Sequence, residues 1–330
     1  MAGNPRLGHA QSPEATRRAA RGGTLIGLGW ALRALGVVMA ISGTPGRALF
    51  LVPTEGVAQL PWWLRVVIWL VILEAGWLVF DLGSRLLVQG KRHTATVITS
   101  FGQLAGVPYV LYLRPFVLDP VMASRTPEPG RLWRAPFELR GLTQEEFLVR
   151  RIGRLGRVVA IGRPGERLPL IGAERGYLPL DDWQDTVGEL IRGAHVVMMS
   201  AAPGPGTLWE FTESVRTVPP ARLVLLICTG PEVYEIFRYK AAQEYAARSG
   251  PGWPPMPHLP DWPTPGPQAK GRKWEYPLRG YITFDEAWRA TFTPFEVTVR
   301  TLHWGWTTGR EVTAQLEPLF GPLAELPPAH

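Results

Sequence analysis

HVVMMSAAPGPGTLWEFTESV, residues 195–215, is the stretch from which the fold can be read. It opens on the unbroken apolar run His195–Met199, too short for a helix and without alternation, as in a strand buried on both faces. Small residues, glycines and prolines follow, and from Thr207 to Val218 the spacing turns helical. Strand, glycine-bearing turn and helix in this order are one step of a parallel β–α winding.

Working outward, the same alternation recurs. Tyr109–Leu113 reads as a first strand and Arg157–Ile161 as a second, with Leu223–Cys228 fourth and Tyr281–Phe284 fifth. Between them, Thr143-x-x-Glu146 is a capping box that opens a helix to about Leu155. Asp181-x-x-Gln184 caps another helix, whose Trp183, Val187, Leu190 and Ile191 share one apolar face. Pro231–Ala247 and the region of Glu311–Phe320 supply the remaining helices. The expectation over residues 107–330 is an α/β domain of flavodoxin-like order 2-1-3-4-5, a parallel sheet covered by helices on both faces. Residues 251–267 hold eight prolines among 17. That insertion cannot be regular structure and reads as a packed loop, a lid or a partner site.

Ahead of this domain lie two long apolar stretches, 24–42 and 62–80, each 19 residues. At ~1.5 Å per residue each spans roughly 28 Å, one hydrocarbon core. They predict a transmembrane hairpin over 24–82, preceded by a basic tail at 1–23 and followed by a juxtamembrane linker at 83–106. Arg6, Arg17, Arg18 and Arg21 precede the first span, and Arg85, Lys91 and Arg92 follow the second. This bias places both termini in the cytoplasm and makes the chain a two-span protein of the cell membrane. Arg33 and Glu74 are costly in lipid, so the expectation is that they pair, within the hairpin or in a homo-oligomer. The abundance of Arg, Gly, Pro and Ala fits a GC-rich bacterial genome.

Charge excludes one class of partner. Residues 1–106 carry ten Lys or Arg and four Asp or Glu, while 107–330 are nearly neutral. The net charge of +7 therefore flanks the apolar stretches, and nucleic acid is not the expected ligand. Cys228 is the single cysteine and cannot form a disulfide within the chain. There is no GxGxxG after the first strand, no GxxxxGK[ST], no G-x-S-x-G and no metal-ligand spacing among the six histidines. Neither a cofactor nor a metal is expected. His195, at the start of an apolar strand, reads as structural.

In an order of 2-1-3-4-5 the winding reverses between the first and third strands, and ligands bind beyond their carboxyl ends. Arg114 and Asp119 follow the first strand, and Gly204, Gly206, Thr207 and Glu210 follow the third. The glycines would let backbone approach a ligand, and the helix start would offer N–H groups to a phosphate. Glu210 has two readings. Thr207-x-x-Glu210 is itself a capping box, and the same carboxyl faces the crevice.

The run Gly204-x-Gly206-Thr207-x-x-Glu210 resembles the GTxxE element of nucleoside deoxyribosyltransferase-like and lysine-decarboxylase-like (SLOG) Rossmannoid proteins. Its place is similar to that of the third-helix glutamate of TIR domains that cleave NAD. Over residues 107–285 the order of several pieces resembles a bacterial membrane-tethered family of this TIR/SLOG type. The pieces are Leu113-Arg114-Pro115-Phe116 with Asp119, Gly162-x-Pro164-Gly165-Glu166, Gly172-Ala173-x-Arg175, Asp182-Trp183 and Trp209-Glu210.

The resemblance implies a nucleotide or NAD-like ligand, cleaved or transferred at its N-glycosidic bond. Glu210 would be the catalytic carboxyl, the amides of Gly204–Thr207 would hold phosphate with Arg114 or Arg175, and Asp119 and Trp209 would join the ligand site. The alternative is a membrane-tethered receptor or scaffold that binds a nucleotide without turnover. A third is an effector whose hairpin perturbs the membrane.

Overall fold

The computed structural model describes residues 13–42, 60–98, 100–124, 143–166, 168–178, 182–263, 272–273, 276–299 and 304–327. The chain divides into two compact units, residues 1–95 and 96–330.

The first unit is a pair of long helices, α1 (Pro13–Ser42) and α2 (Trp62–Thr94). Both are long and apolar enough to cross a membrane. Their contact is built on glycine at every seventh residue. Gly22 lies against Gly90, Gly29 against Gly83, and Gly36 against Gly76, so the helices run antiparallel. A Cβ added at any of these six would stand 2.6–3.0 Å from an atom of the opposing helix, in most cases its backbone. A seven-residue repeat keeps one seam facing its partner over successive turns, and small side chains let the backbones touch. The outer faces carry exposed apolar side chains, among them Trp30, Val38, Val71 and Leu78.

Arg33 is buried in this contact, its guanidinium 4.9 Å from the ring of Trp30 and 4.8 Å from that of Phe80. Its backbone N–H and Cγ lie beside Gly83. The register thus sets Arg33 level with Phe80–Gly83, where the acidic residue is Asp81. Glu74 sits on the exposed surface about one to two turns away, so the pairing with Arg33 expected from sequence is not made within the hairpin.

The second unit is an α/β domain. Its main sheet has the order β1-β4-β3-β2-β5-β6-β8-β9. The strands are β1 (Val97–Ile98), β2 (Tyr109–Leu113), β3 (Arg157–Gly162), β4 (Glu174–Tyr177), β5 (Val196–Ser200), β6 (Leu223–Ile227), β8 (Gly280–Phe284) and β9 (Ala290–Pro294). The first six in sheet order are mutually parallel. A separate antiparallel pair joins β7 (Arg272–Lys273) to β10 (Thr298–Val299).

Helices cover both faces. Leu111, Leu113, Val197, Met199 and Leu225 point to one side, under α5 (Trp183–Gly193), α6 (Pro205–Thr217) and α7 (Pro231–Arg248). Val110, Tyr112, Met198 and Leu226 point to the other, under α4 (Gln144–Ile152) and α8 (Trp304–Ala324). A short helix, α3 (Asp119–Ala123), follows β2. Every residue of β2, β5 and β6 is buried, as their unbroken apolar sequences require.

The five strands expected from sequence do stand in the order 2-1-3-4-5, as β3-β2-β5-β6-β8. The sheet is not wholly parallel, however: β8 and then β9 run antiparallel. The proline-rich stretch supplies the reason. The Tyr245 hydroxyl donates to the carbonyl of Pro254 and the Tyr234 hydroxyl to that of Pro260, so residues 251–263 retrace α7 towards its start. Chain that retraces its crossover helix enters the next strand from the opposite end. Over its described part, the insertion is a packed loop, with Trp253, Met256, Leu259 and Trp262 against the core. Residues 264–267 lie outside the described residues.

Other boundaries differ from the sequence reading. The stretch 83–106, expected as a linker, is divided between the last turns of α2, the edge strand β1 and a 3-10 turn at Phe101–Leu104. Thr143 caps α4 as expected, its hydroxyl accepting from the Glu146 N–H at 3.1 Å. Asp181 lies outside the described residues. The residue that stands before α5 is Asp182, in the left-handed region at φ 66° and with no side-chain cap bond.

Candidate functional site

A cleft of about 500 Å³ opens at the carboxyl ends of the parallel strands. Its floor and walls are Tyr112–Phe116 from the end of β2, with Ile161, Gly162 and Pro164 from the end of β3. Leu178 follows β4, Trp183 and Val187 come from α5, and Gly204–Thr207 with Glu210 come from α6. This is the place where the winding reverses between β2 and β5, the site anticipated from the strand order. The volume lies in the range of small-molecule sites, and apolar side chains form most of the lining.

Helix α6 starts two residues earlier than its sequence pattern indicated. Gly204 is the N-cap and Pro205 the first helical residue, and the Leu208 N–H makes the first helical bond, to the Gly204 carbonyl at 3.0 Å. Proline suits that first position because it has no N–H to satisfy. The N–H groups of Gly206 and Thr207 therefore face the cleft without an intrahelical acceptor. A Cβ at Gly204 would meet nothing within 4 Å, so the backbone here is open to approach.

The earlier start also excludes the capping-box reading of Glu210. A capping box needs its glutamate three residues beyond the cap, and Glu210 is six beyond Gly204. It lies one turn inside the helix, on the face shared with Gly206 and Thr207. Among the described residues, no side-chain hydrogen bond or ion pair reaches its carboxyl. Burial against the apolar walls pushes its pKa up to about 8. At neutral pH this group is mostly a neutral acid.

Arg114 lines the same cleft but is held from behind. Its Nη2 pairs with Glu145 Oε2 at 2.9 Å and with Asp119 Oδ1 at 2.8 Å, while Nη1 is buried and makes no hydrogen bond. Asp119 thus anchors Arg114 and does not itself line the cleft. Arg175 lies outside the lining as well. It is 1% exposed on β4 and bonds both oxygens of Glu145 at 2.8 Å. Glycine makes this possible. At Gly172 (φ +134°) a Cβ would come 3.1 Å from the Glu145 Cγ, so Gly172-Ala173-x-Arg175 is a motif for approaching α4.

Trp209 also turns away from the cleft. Its ring meets that of Trp183 edge-on at 5.0 Å, and the Arg248 guanidinium lies 5.1 Å over it. Trp183, which sequence placed on an apolar helix face and among the resembling pieces but not in the ligand site, is the tryptophan that lines the cleft. Leu178 and Ile161 were likewise not singled out, and their positions just after β4 and at the end of β3 were the available signal.

Two other residues stand apart. His195 lies at the amino end of β5, away from the cleft, its pKa lowered by burial and by Arg222. Burial raises the Cys228 thiol to about 11, which disfavours the nucleophilic thiolate. Among the described residues, no cluster of His, Cys, Asp or Glu could hold a metal ion. No protein-family model, curated protein or solved structure matches this chain.

Proposed function

We propose that this chain is a membrane-anchored protein whose α/β domain, of flavodoxin-like TIR/SLOG type, binds a nucleotide or NAD-like molecule and cleaves or transfers it at the N-glycosidic bond. The observation that carries the reading is Glu210, a solitary carboxyl in an apolar cleft, one turn from the free amides of Gly206 and Thr207. Amides at a helix start favour a phosphate. One turn, ~5.4 Å, is comparable with the span from the 5′-phosphate to the anomeric carbon of a ribosyl phosphate.

The raised pKa bears on mechanism. Breaking an N-glycosidic bond builds positive charge on the ribose, and a carboxylate facing it lowers the barrier. Glu210 is largely neutral before that charge appears. It can pass its proton to the leaving base as the C–N bond breaks. The carboxylate so formed faces the ribosyl cation until water or an acceptor adds at the anomeric carbon, so its interaction is strongest in the transition state. Arg114, whose charge is shared with Glu145 and Asp119, has Nη1 uncommitted and can donate that N–H to the phosphate.

The anchor reading rests on α1 and α2, whose outer faces are apolar enough for lipid and whose basic residues gather at one end. It places both termini in the cytoplasm.

The test is to incubate the full chain, purified in detergent, with NAD and a panel of nucleotides and to follow release of nicotinamide or base. Release that Glu210→Gln reduces by about 10²-fold or more supports catalysis. Binding of a nucleotide with no release from any substrate would replace the enzyme by a nucleotide receptor.

A further inference from the structure

We infer that Trp183 is the stacking wall of the cleft, and that the ligand is therefore one with a planar aromatic ring next to its phosphate. This rests on the nucleotide reading of the cleft and adds the residue that selects the ring.

Trp183 opens α5 and is only partly buried, with its ring in the cleft lining. Its other contacts fix where the ring stands. Trp209 meets it edge-on at 5.0 Å with 75° between planes, so the two rings hold each other without covering both faces of either. Trp209 is itself pinned, since the Arg248 guanidinium stacks 5.1 Å over it and donates to its carbonyl at 3.1 Å. Arg248 is tied in turn to Thr212 and to Glu213. Gly188 of α5 lies against this stack, and a Cβ there would make ordinary contact with Glu213 Oε1 at 3.7 Å and Trp209 at 3.9 Å.

The far edge of the Trp183 ring also reaches the start of α6. A Cβ built on Gly206 would be 3.9 Å from the Trp183 ring, so the ring stands beside the free amides on the wall of the cleft. The residue before Trp183, Asp182, holds a left-handed φ of 66° that costs a non-glycine residue energy. A ring fixed in an apolar wall beside an anion site is the pairing that a base and its phosphate would need. Base–aromatic stacking is worth ~1–3 kcal/mol per base, or roughly 5- to 150-fold in affinity.

The experiment is isothermal titration of the full chain in detergent with adenosine 5′-monophosphate, nicotinamide mononucleotide and ribose 5-phosphate, the last carrying phosphate without a ring. Wild type should bind both ring-bearing compounds at least about 5-fold more tightly than ribose 5-phosphate. Trp183→Leu should remove that difference while leaving ribose 5-phosphate affinity within about 2-fold, and Trp183→Phe should keep most of it. Arg248→Met, which touches no ligand, should weaken ring-bearing compounds selectively, since it frees the Trp209 that positions Trp183. Equal loss for ribose 5-phosphate and nucleotides in Trp183→Leu would make the residue merely structural and overturn the inference. So would wild-type affinity that ignores the ring, although the phosphate site would then stand. If wild type binds none of the three, the nucleotide reading falls and this inference with it.

Discussion

Arg175 on β4 donates through Nη2 to both carboxylate oxygens of Glu145 on α4, at 2.8 Å each, and both side chains are closed off from water. Glu145 also receives Arg114 from the end of β2, and Arg114 is held by Asp119 in addition. A chain of alternating charge thus ties α4, β4 and the start of α3 together behind the cleft. Its two arginines and two carboxylates balance, which is what a buried ionic cluster requires.

Removing one member leaves a buried charge without its counterpart. Arg175→Met and Glu145→Gln should each lower stability by about 3–5 kcal/mol, measured by thermal or denaturant unfolding of the full chain. The comparison is the partly exposed pair Arg157–Glu174, bonded at 2.6 Å, where Arg157→Met should leave stability nearly unchanged because water screens the charges. Equal effects at the two pairs would show that burial does not set the cost.

The helical hairpin makes a position-specific prediction. At Gly83 an added Cβ would stand 2.7 Å from the Gly29 carbonyl oxygen and 2.9 Å from the Arg33 nitrogen, both backbone atoms that cannot swing aside. Gly83→Val should therefore separate the helices and lower the detergent-solubilised melting temperature. Gly23→Ala and Gly27→Ala, on the same pair of helices but with nothing within 4 Å, should not, and replacing an interior glycine should help slightly. An unchanged melt in Gly83→Val would remove the close contact.

How much of this was legible in sequence differs by element for physical reasons. β2, β5 and β6 are buried on both faces, so they announce themselves as continuous apolar runs. β4 is Glu-Arg-Gly-Tyr, and its polarity is neutralised only by partners distant in the chain, so no local pattern marks it. Glu145 went unread for the same reason. In the first turn of a capped helix an acid is ordinarily solvated, yet here it is fully buried. The direction of β8 depends on a proline-rich loop folding back along α7, which composition cannot show. The glycine heptads were visible as spacing, but the same stretch reads first by its hydropathy, and that period gives way to the question of membrane span.

The loop itself can be tested as a packing element. Trp262 stands 5.9 Å from the Tyr234 ring and 5.6 Å from that of Phe292, bridging the loop to α7 and β9. Trp262→Ala should cost about 2–3 kcal/mol, the lower part of the range for a large aromatic because the ring is half-buried. Pro255→Ala, exposed in the same loop, should change stability by under ~0.5 kcal/mol. A Trp262→Ala protein as stable as wild type would return the loop to the status of a lid or partner site.

Glu210 offers a prediction that needs no ligand. Its carboxyl titrates at about 8 in the folded chain against an ordinary 4.5, because the apolar cleft penalises the charged form. Between those values the folded chain keeps a proton that the unfolded chain has released, so stability must fall as pH rises. The stabilisation conferred by that proton is complete below about pH 4.5 and gone above about pH 8. The interval amounts to about 4–5 kcal/mol at ~1.4 kcal/mol per pH unit, trimmed by water that enters the open cleft. Gln has the shape of the protonated acid and cannot ionise. Glu210→Gln should therefore match wild type near pH 4.5 and become progressively more stable than it up to pH 8–9, read as a widening gap between their unfolding free energies. Parallel pH profiles for the two proteins would mean that Glu210 is ionised in the folded chain, and the differential stabilisation assigned to it in catalysis would lose its physical basis.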